Sequence, residues 1–177
     1  MPAITISGPP GAGTTTVAKL LKERTGLPYV YAGEMFRNKA HELGMSLADF
    51  GKYVEKHHEI DEELDEAMMA VLKKGNVILE GRVSGWMAAN RKILAFKVYI
   101  DALEQIRAQR VANRESKDVK AVLKENRARE KSERKRYLAE YGFDILDTKC
   151  YDLAIDSGDK TPEMITELIV IGGGMFH

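Results

Sequence analysis

Residues 3–21, AITISGPPGAGTTTVAKLL, decide the fold. Ile4-Thr5-Ile6 alternates apolar and polar side chains, which predicts a strand over about Ala3 to Ser7. A glycine-rich loop follows, Gly8-Pro9-Pro10-Gly11-Ala12-Gly13. Thr14, Thr15 and Thr16 then open a helix whose apolar residues, Val17, Ala18, Leu20 and Leu21, suit a buried face. Strand, glycine loop and helix form the context of a phosphate-binding loop. Glycine lets the backbone curl so that its N–H groups converge on an anion. The positive end of the following helix adds to the attraction.

The stretch matches G-x-x-x-x-G-K-[ST] at Gly8, Gly13 and Thr15, but Thr14 occupies the lysine position. Threonine offers a neutral hydroxyl where lysine brings a full charge to the phosphates. A charge-assisted hydrogen bond contributes about 1.5–3 kcal/mol and a neutral one about 0.5–1.5 kcal/mol. Another cation must offset the difference, or the site binds phosphate without catalysing.

Outward from this stretch, strands and helices alternate, the pattern of a parallel sheet with crossover helices. Further strands are expected at Pro28 to Tyr31, Asn76 to Glu80, Leu94 to Ile100 and Leu153 to Asp156. Helices are expected from Thr14 to Arg24, from Gly33 to near Gly44, from Ser46 with Asp49 as a capping box, and from Asp61 to before Gly75. Others are expected around Gly85 to Asn90, from Leu103 to Arg114, from Lys117 to Tyr141, and from Thr161-Pro162 onward. The end, from Gly172 to His177, reads as a loose tail. Two segments are longer than a crossover needs, 33–74 and 103–141. Both leave from C-terminal ends of strands, the ligand edge of an open parallel sheet.

Charge separates these two insertions. Residues 33–74 carry ten acids and six bases, whereas residues 105–136 carry twelve bases and five acids. No large apolar residue lies between Glu125 and Arg136, so that helix is polar all round. It is the one concentrated source of the charge missing at Thr14, and it suits a lid that closes over phosphates.

The chain has 177 residues, 44% hydrophobic and 31% charged, with 27 basic and 27 acidic side chains. That suits one core with small insertions and a soluble globular protein. A balanced charge favours neither a nucleic-acid partner nor a membrane surface. The single cysteine, Cys150, allows no internal disulfide. With no signal-like segment and no long apolar run, the expected location is the cytoplasm.

Several segments in order, SGPPGAGTTT, AGEMFR, VILEGR with VSGWMA, RAQRVANRE, RAREKSERKRY and YDLAIDSG, carry a family resemblance along essentially the whole chain. The chain resembles the nucleoside monophosphate kinases, and most closely the short archaeal-type cytidylate kinases. Among archaeal members, threonine also occurs at the lysine position. The resemblance implies an α/β P-loop three-layer sandwich with a five-stranded parallel sheet of order 2-3-1-4-5. Its core would be residues 1–32, 75–102 and 142–177, with an NMP-binding insertion at 33–74 and a lid at 103–141. It also implies ATP and Mg²⁺ as donor and cofactor, CMP and dCMP as acceptors (or UMP or AMP, where base choice differs), and a monomer. A non-catalytic nucleotide switch that lost the lysine is the competing reading.

Site residues follow from the resemblance together with the chemistry. Gly8 to Thr16, Arg110, Arg114 and Ser157 are expected around ATP. Arg37, Gly81, Arg82, Arg129, Glu133 and Arg136 are expected around the acceptor. Arg82, Arg110, Arg129, Arg134 and Arg136 are expected to stabilise the transferring phosphoryl group. Thr15 and, through water, Glu80 are expected at Mg²⁺. Planar guanidinium groups suit phosphate because they grip it with two bonds. No general base is needed, since the acceptor is already an ionised phosphate oxygen. His57-His58 and Met68-Met69 are read as surface and core residues, and Trp86 as packing either near the acceptor or between helices. Val83 stands where some bacterial cytidylate kinases carry a base-contacting aspartate.

Overall fold

A computed structural model describes residues 3–54 and 56–174. Five strands, β1 (Ala3–Ser7), β2 (Tyr29–Tyr31), β3 (Ile78–Glu80), β4 (Ala95–Asp101) and β5 (Leu153–Asp156), form one parallel sheet. Their order is β2-β3-β1-β4-β5, as the resemblance implies. The register places Ile6 and Tyr31 on either side of Glu80, so three strand ends meet at one edge. β4 runs one residue beyond its expected end because Asp101 pairs in register with Asp156.

Both sheet faces are covered, as parallel sheets require. Ile4, Ile6, Val98 and Ile100 pack on one side with Val17 and Leu21 of α1 (Thr14–Thr25). Ile165 and Ile169 of α8 (Pro162–Gly172) complete that layer. Leu79 packs on the other side with Met69 and Leu72 of α4 (His58–Lys73) and Met87 of α5 (Ser84–Asn90).

The segment from 32 to 73 holds α2 (Ala32–Glu42), α3 (Leu47–Val54) and α4. The Ser46 hydroxyl accepts from the Asp49 N–H at 3.1 Å and donates to its carboxylate at 2.6 Å, the expected capping interaction. α4 starts at His58, three residues before the expected Asp61. The extra turn places Glu59 and Asp61 at the positive helix end, which favours acids there. Ala40, Phe50, Val54 and Ile60 give this segment a small core of its own.

α6 (Glu104–Glu115) and α7 (Val119–Tyr141) form the basic hairpin. Ser116 turns the chain with a positive φ of 53°, and Asp118 caps α7 by accepting from the Ala121 N–H. Ala108, Val111, Ala112 and Val122 form its separate core. Among the described residues no helix is long and apolar enough to cross a membrane. The final three residues of the expected tail lie outside the described ones.

Candidate active site

The glycine loop is braced tightly from behind. At Gly8 a Cβ would stand 2.2 Å from the Ile100 carbonyl oxygen. Gly11 adopts φ +82°, and a Cβ there would stand 2.4 Å from the Arg107 carbonyl oxygen. A side chain at either position would force the loop away from β4 or α6. Over the loop lies a cavity of about 450 Å³. Every residue expected around ATP lines it: Gly8 to Thr16, Arg110, Arg114 and Ser157. Arg110 donates to the Ser157 hydroxyl at 2.9 Å and carbonyl at 2.7 Å, and Ser157 donates to the Ala12 carbonyl at 2.8 Å. The basic hairpin and the chain after β5 are thereby tied to the loop.

Thr14 and Thr15 each donate a hydroxyl hydrogen bond to Glu80 Oε1 at 2.7 Å. The Tyr29 hydroxyl donates to Oε2 of the same carboxylate. Burial, then this bond, pushes the Tyr29 phenol well above its ordinary range. Glu80 is only 4% exposed, and its partners are neutral. A buried carboxylate without a cationic partner is costly, and a bound cation would relieve it. Thr15 beside it supplies a hydroxyl. These residues fit a magnesium ion, which takes one or two protein oxygens and keeps waters and substrate phosphate oxygens. Among the described residues no group of three or more His, Cys, Asp or Glu could hold a metal alone.

A second cavity of about 570 Å³ opens under the 32–73 segment. Arg37, Gly81, Arg82, Arg129, Glu133 and Arg136, all expected around the acceptor, line it. Tyr31, Gly81, Arg82 and Arg129 line both cavities, so the two meet there. Arg37 lies over the Tyr31 ring, 5.1 Å from its centre. Arg82 donates to Glu133 at 2.6 Å, and Arg129 donates to the other Glu133 oxygen at 2.8 Å. Glu133 thus holds the two junction arginines together.

The five arginines expected at the transferring group separate on this geometry. Arg82 and Arg129 stand at the junction. Arg110 lines only the loop cavity, and Arg136 only the other. Arg134 lines neither; it forms a two-bond pair with Asp144, at 2.9 and 2.5 Å. The reason is helical phase. Arg129, Glu133, Arg136 and Glu140 share one face of α7, whereas Arg134 is turned about 140° from Arg129.

Several residues near the cavities were missed by the sequence reading. Arg107, 7% exposed, donates to the Ala102 and Pro10 carbonyls at 2.9 and 3.3 Å and to Glu130 at 2.5 Å. It braces the glycine loop and ties α6 to α7. Its place in a basic helix disguised it among solvated charges. Asp61, Asp65, Met68, Tyr137 and Tyr141 line the second cavity. Asp65 accepts from the Tyr141 hydroxyl at 2.5 Å, and burial is the main cause that raises its carboxyl to about 6. Burial also raises Asp61. Their four-residue spacing on an apolar-faced helix was the available signal.

Met69 is core as expected, while Met68 is a cavity wall. Trp86 stacks on Phe143 with ring centres 4.6 Å apart. His57 stacks on Tyr53, and His58 lies 3.5 Å from Glu140. Val83 lines the second cavity with an apolar side chain.

The family described as an AAA domain matches residues 4–137. A cytidylate kinase from Pyrococcus horikoshii is 45% identical over 166 residues, covering 94% of this chain and 85% of that protein. One from Methanocaldococcus jannaschii is 42% identical over 167 residues, covering 94% of each. Among solved structures, an uncharacterized protein from Eubacterium ventriosum superposes with a TM-score of 0.74 at 20% identity, covering 97% of both chains. Shikimate kinase from Acinetobacter baumannii, in complex with shikimate, gives 0.62 at 18% identity, covering 100% of this chain and 96% of that one. At those identities the structural likeness speaks to the fold alone.

Proposed function

The chain belongs to the cytidylate kinase family and is a nucleoside monophosphate kinase, and from that premise we propose that it transfers the γ-phosphoryl group of ATP to CMP and dCMP with Mg²⁺. The observation that carries this reading is the meeting of two cavities at Gly81, Arg82 and Arg129. One is floored by a phosphate-binding loop; the other presents Arg37 and an acid-lined far wall.

Phosphoryl transfer needs alignment and charge stabilisation more than covalent help. Backbone N–H groups of the glycine loop bind the donor phosphates. Arg110 and Arg114 flank them in place of the absent lysine. Arg37 holds the acceptor phosphate from α2. Arg82 and Arg129 sit where donor and acceptor oxygens meet, and exchange Glu133 for phosphate as the substrates arrive. Thr15 and Glu80 would hold Mg²⁺, which supplies charge neutralisation on the β- and γ-oxygens. The insertion at 33–74 closes on the acceptor and the hairpin at 103–141 on the donor, around the sheet core. The enzyme acts as a monomer in the cytoplasm, without nucleic-acid or membrane partners.

A coupled assay with ATP, Mg²⁺ and each of CMP, dCMP, UMP, AMP and GMP tests the proposal. The expected result is turnover with CMP and dCMP far above the rest. Preference for AMP or UMP would replace the acceptor and leave the donor side standing. ATP binding without turnover on any acceptor would restore the switch reading.

A further inference from the structure

The acceptor cavity is polarised along its length. At one end lie Arg82 and Arg129, shared with the donor cavity. Transfer requires the acceptor phosphate there. From Arg129 to Tyr141 the helix α7 advances about 18 Å at 1.5 Å per residue. The wall at that far end is therefore what a nucleobase meets. It contains Asp65 of α4, bonded to the Tyr141 hydroxyl of α7.

That bond fixes the carboxylate through Oδ2. Among the described residues Oδ1 of Asp65 accepts no hydrogen bond, and no basic side chain forms an ion pair with it. The charged groups that act on it are Asp61 of its own helix, and Glu140 and Arg136 of α7. A half-buried acid without an ion-pair partner costs stability, and such groups cluster where a ligand binds.

We propose that Asp65, oriented by Tyr141, is the residue that selects the acceptor base, its free oxygen accepting the exocyclic amino group of cytosine. The inference rests on CMP being the acceptor. Cytosine presents an N4 amino donor, and a carboxylate is its natural acceptor. Uracil presents a carbonyl oxygen at the same position. Facing an ionised Asp65, that oxygen finds a second acceptor and no proton. A favourable contact with one base becomes a repulsion with the other, which is selectivity by exclusion as well as by attraction. Although its carboxyl is raised to about 6, Asp65 is mostly ionised at pH 7.5, the state that this discrimination needs. Asp61 lies one turn earlier, without the tyrosine that would hold it.

The experiment compares kcat/KM for CMP and UMP at pH 7.5 in the wild type, D65N, D61N and Y141F, with direct calorimetric titration of each nucleotide in the absence of ATP. Asparagine keeps the shape and adds an N–H donor that uracil accepts. D65N is expected to lower the CMP-to-UMP ratio about 10- to 100-fold, chiefly through KM and through the directly measured affinity. Y141F, which frees the carboxylate without removing it, should lower the ratio several-fold in the same direction. D61N should leave the ratio within about two-fold of the wild type's, with CMP still preferred. An unchanged ratio in D65N overturns the inference, as does an equal loss for both nucleotides, which would make Asp65 a sugar contact or a packing residue. A wild type indifferent to the base overturns the acceptor assignment together with this inference. A wild-type preference for CMP that survives D65N overturns the inference alone.

Discussion

Three hydroxyls, from Thr14, Thr15 and Tyr29, converge on the buried carboxylate of Glu80. Thr14 at the lysine position therefore belongs to the shell of a carboxylate, and the arginines that line the loop cavity come from other elements. Arg129 and Arg134 lie five residues apart in one basic run, yet only Arg129 reaches both cavities. Arg129→Ala is expected to lower kcat about 10²–10³-fold, the range for one transition-state donor. Arg134→Ala should stay within a few-fold, because Arg134 is half exposed and pairs with Asp144 away from both cavities. Steady-state kinetics on the pair check this; equal losses would mean that the helix turns when substrates bind. Asp65 gives a stability prediction with a definite sign. Its carboxyl is raised from 3.8 to about 6, so the folded state binds the proton more tightly than the unfolded chain. The stability it contributes is full below pH 4 and is lost as pH rises through 6. Asp65→Asn should thus raise Tm above pH 6 by about 2–6 °C, roughly 1–2 kcal/mol after allowing for solvent screening, and by little at pH 4. Thermal scans across pH read this directly, and a variant less stable at pH 7.5 would contradict it.

At the scale of elements, α6 and the glycine loop are joined by Arg107. Its guanidinium spans Ala102, Pro10 and Glu130, and its backbone oxygen packs against Gly11. Removing one partner of a buried pair leaves the others uncompensated. Arg107 also lies 3.3 Å from the Asp101 carboxylate, and because Glu130 and Asp101 keep some contact with solvent, Arg107→Ala is expected to cost about 2–3 kcal/mol, or roughly 5–10 °C in Tm. It should also weaken ATP binding, since the loop loses a brace. Calorimetric titration with ATP separates the two effects; full affinity in the variant would confine Arg107 to stability. α7 was legible as a polar helix, but its phase was not. Val122 is its one buried residue, and between Glu125 and Arg136 no large apolar side chain marks which side faces the cavities. Packing of Tyr137 and Tyr141 against the core beside Trp86 sets the rotation that brings Arg129, Glu133 and Arg136 inward.

Across the whole molecule, a sheet edge carries two cavities that share four residues, and each insertion above it has its own small core. Units with separate cores and few shared contacts can rotate as bodies when substrates bind. A bisubstrate analogue joining cytidine and adenosine through a phosphate chain should occupy both cavities at once. At 100 times its Kd it stabilises the fold by about 2.7 kcal/mol, or roughly 5–10 °C. Its affinity should exceed that of ATP or CMP by several orders of magnitude, because the second contact becomes intramolecular. Affinity no better than ATP alone would show that the two cavities cannot be filled together.

The phosphate loop, the strand and helix alternation, and the two insertions were legible in the sequence because each is local. Glycine spacing, apolar periodicity and charge counts act over a few turns of chain. The roles of individual side chains were legible only where a motif names them. Tyr29 on Glu80, Arg107 under the loop, and Asp65 on Tyr141 join residues 51, 97 and 76 positions apart. Such pairs exist only once the sheet order and the rotation of α7 are set, and many side chains contribute to both. Residue types and local spacing marked the glycine loop; tertiary packing decided which charged side chains line the two cavities and which acid stands at the far wall.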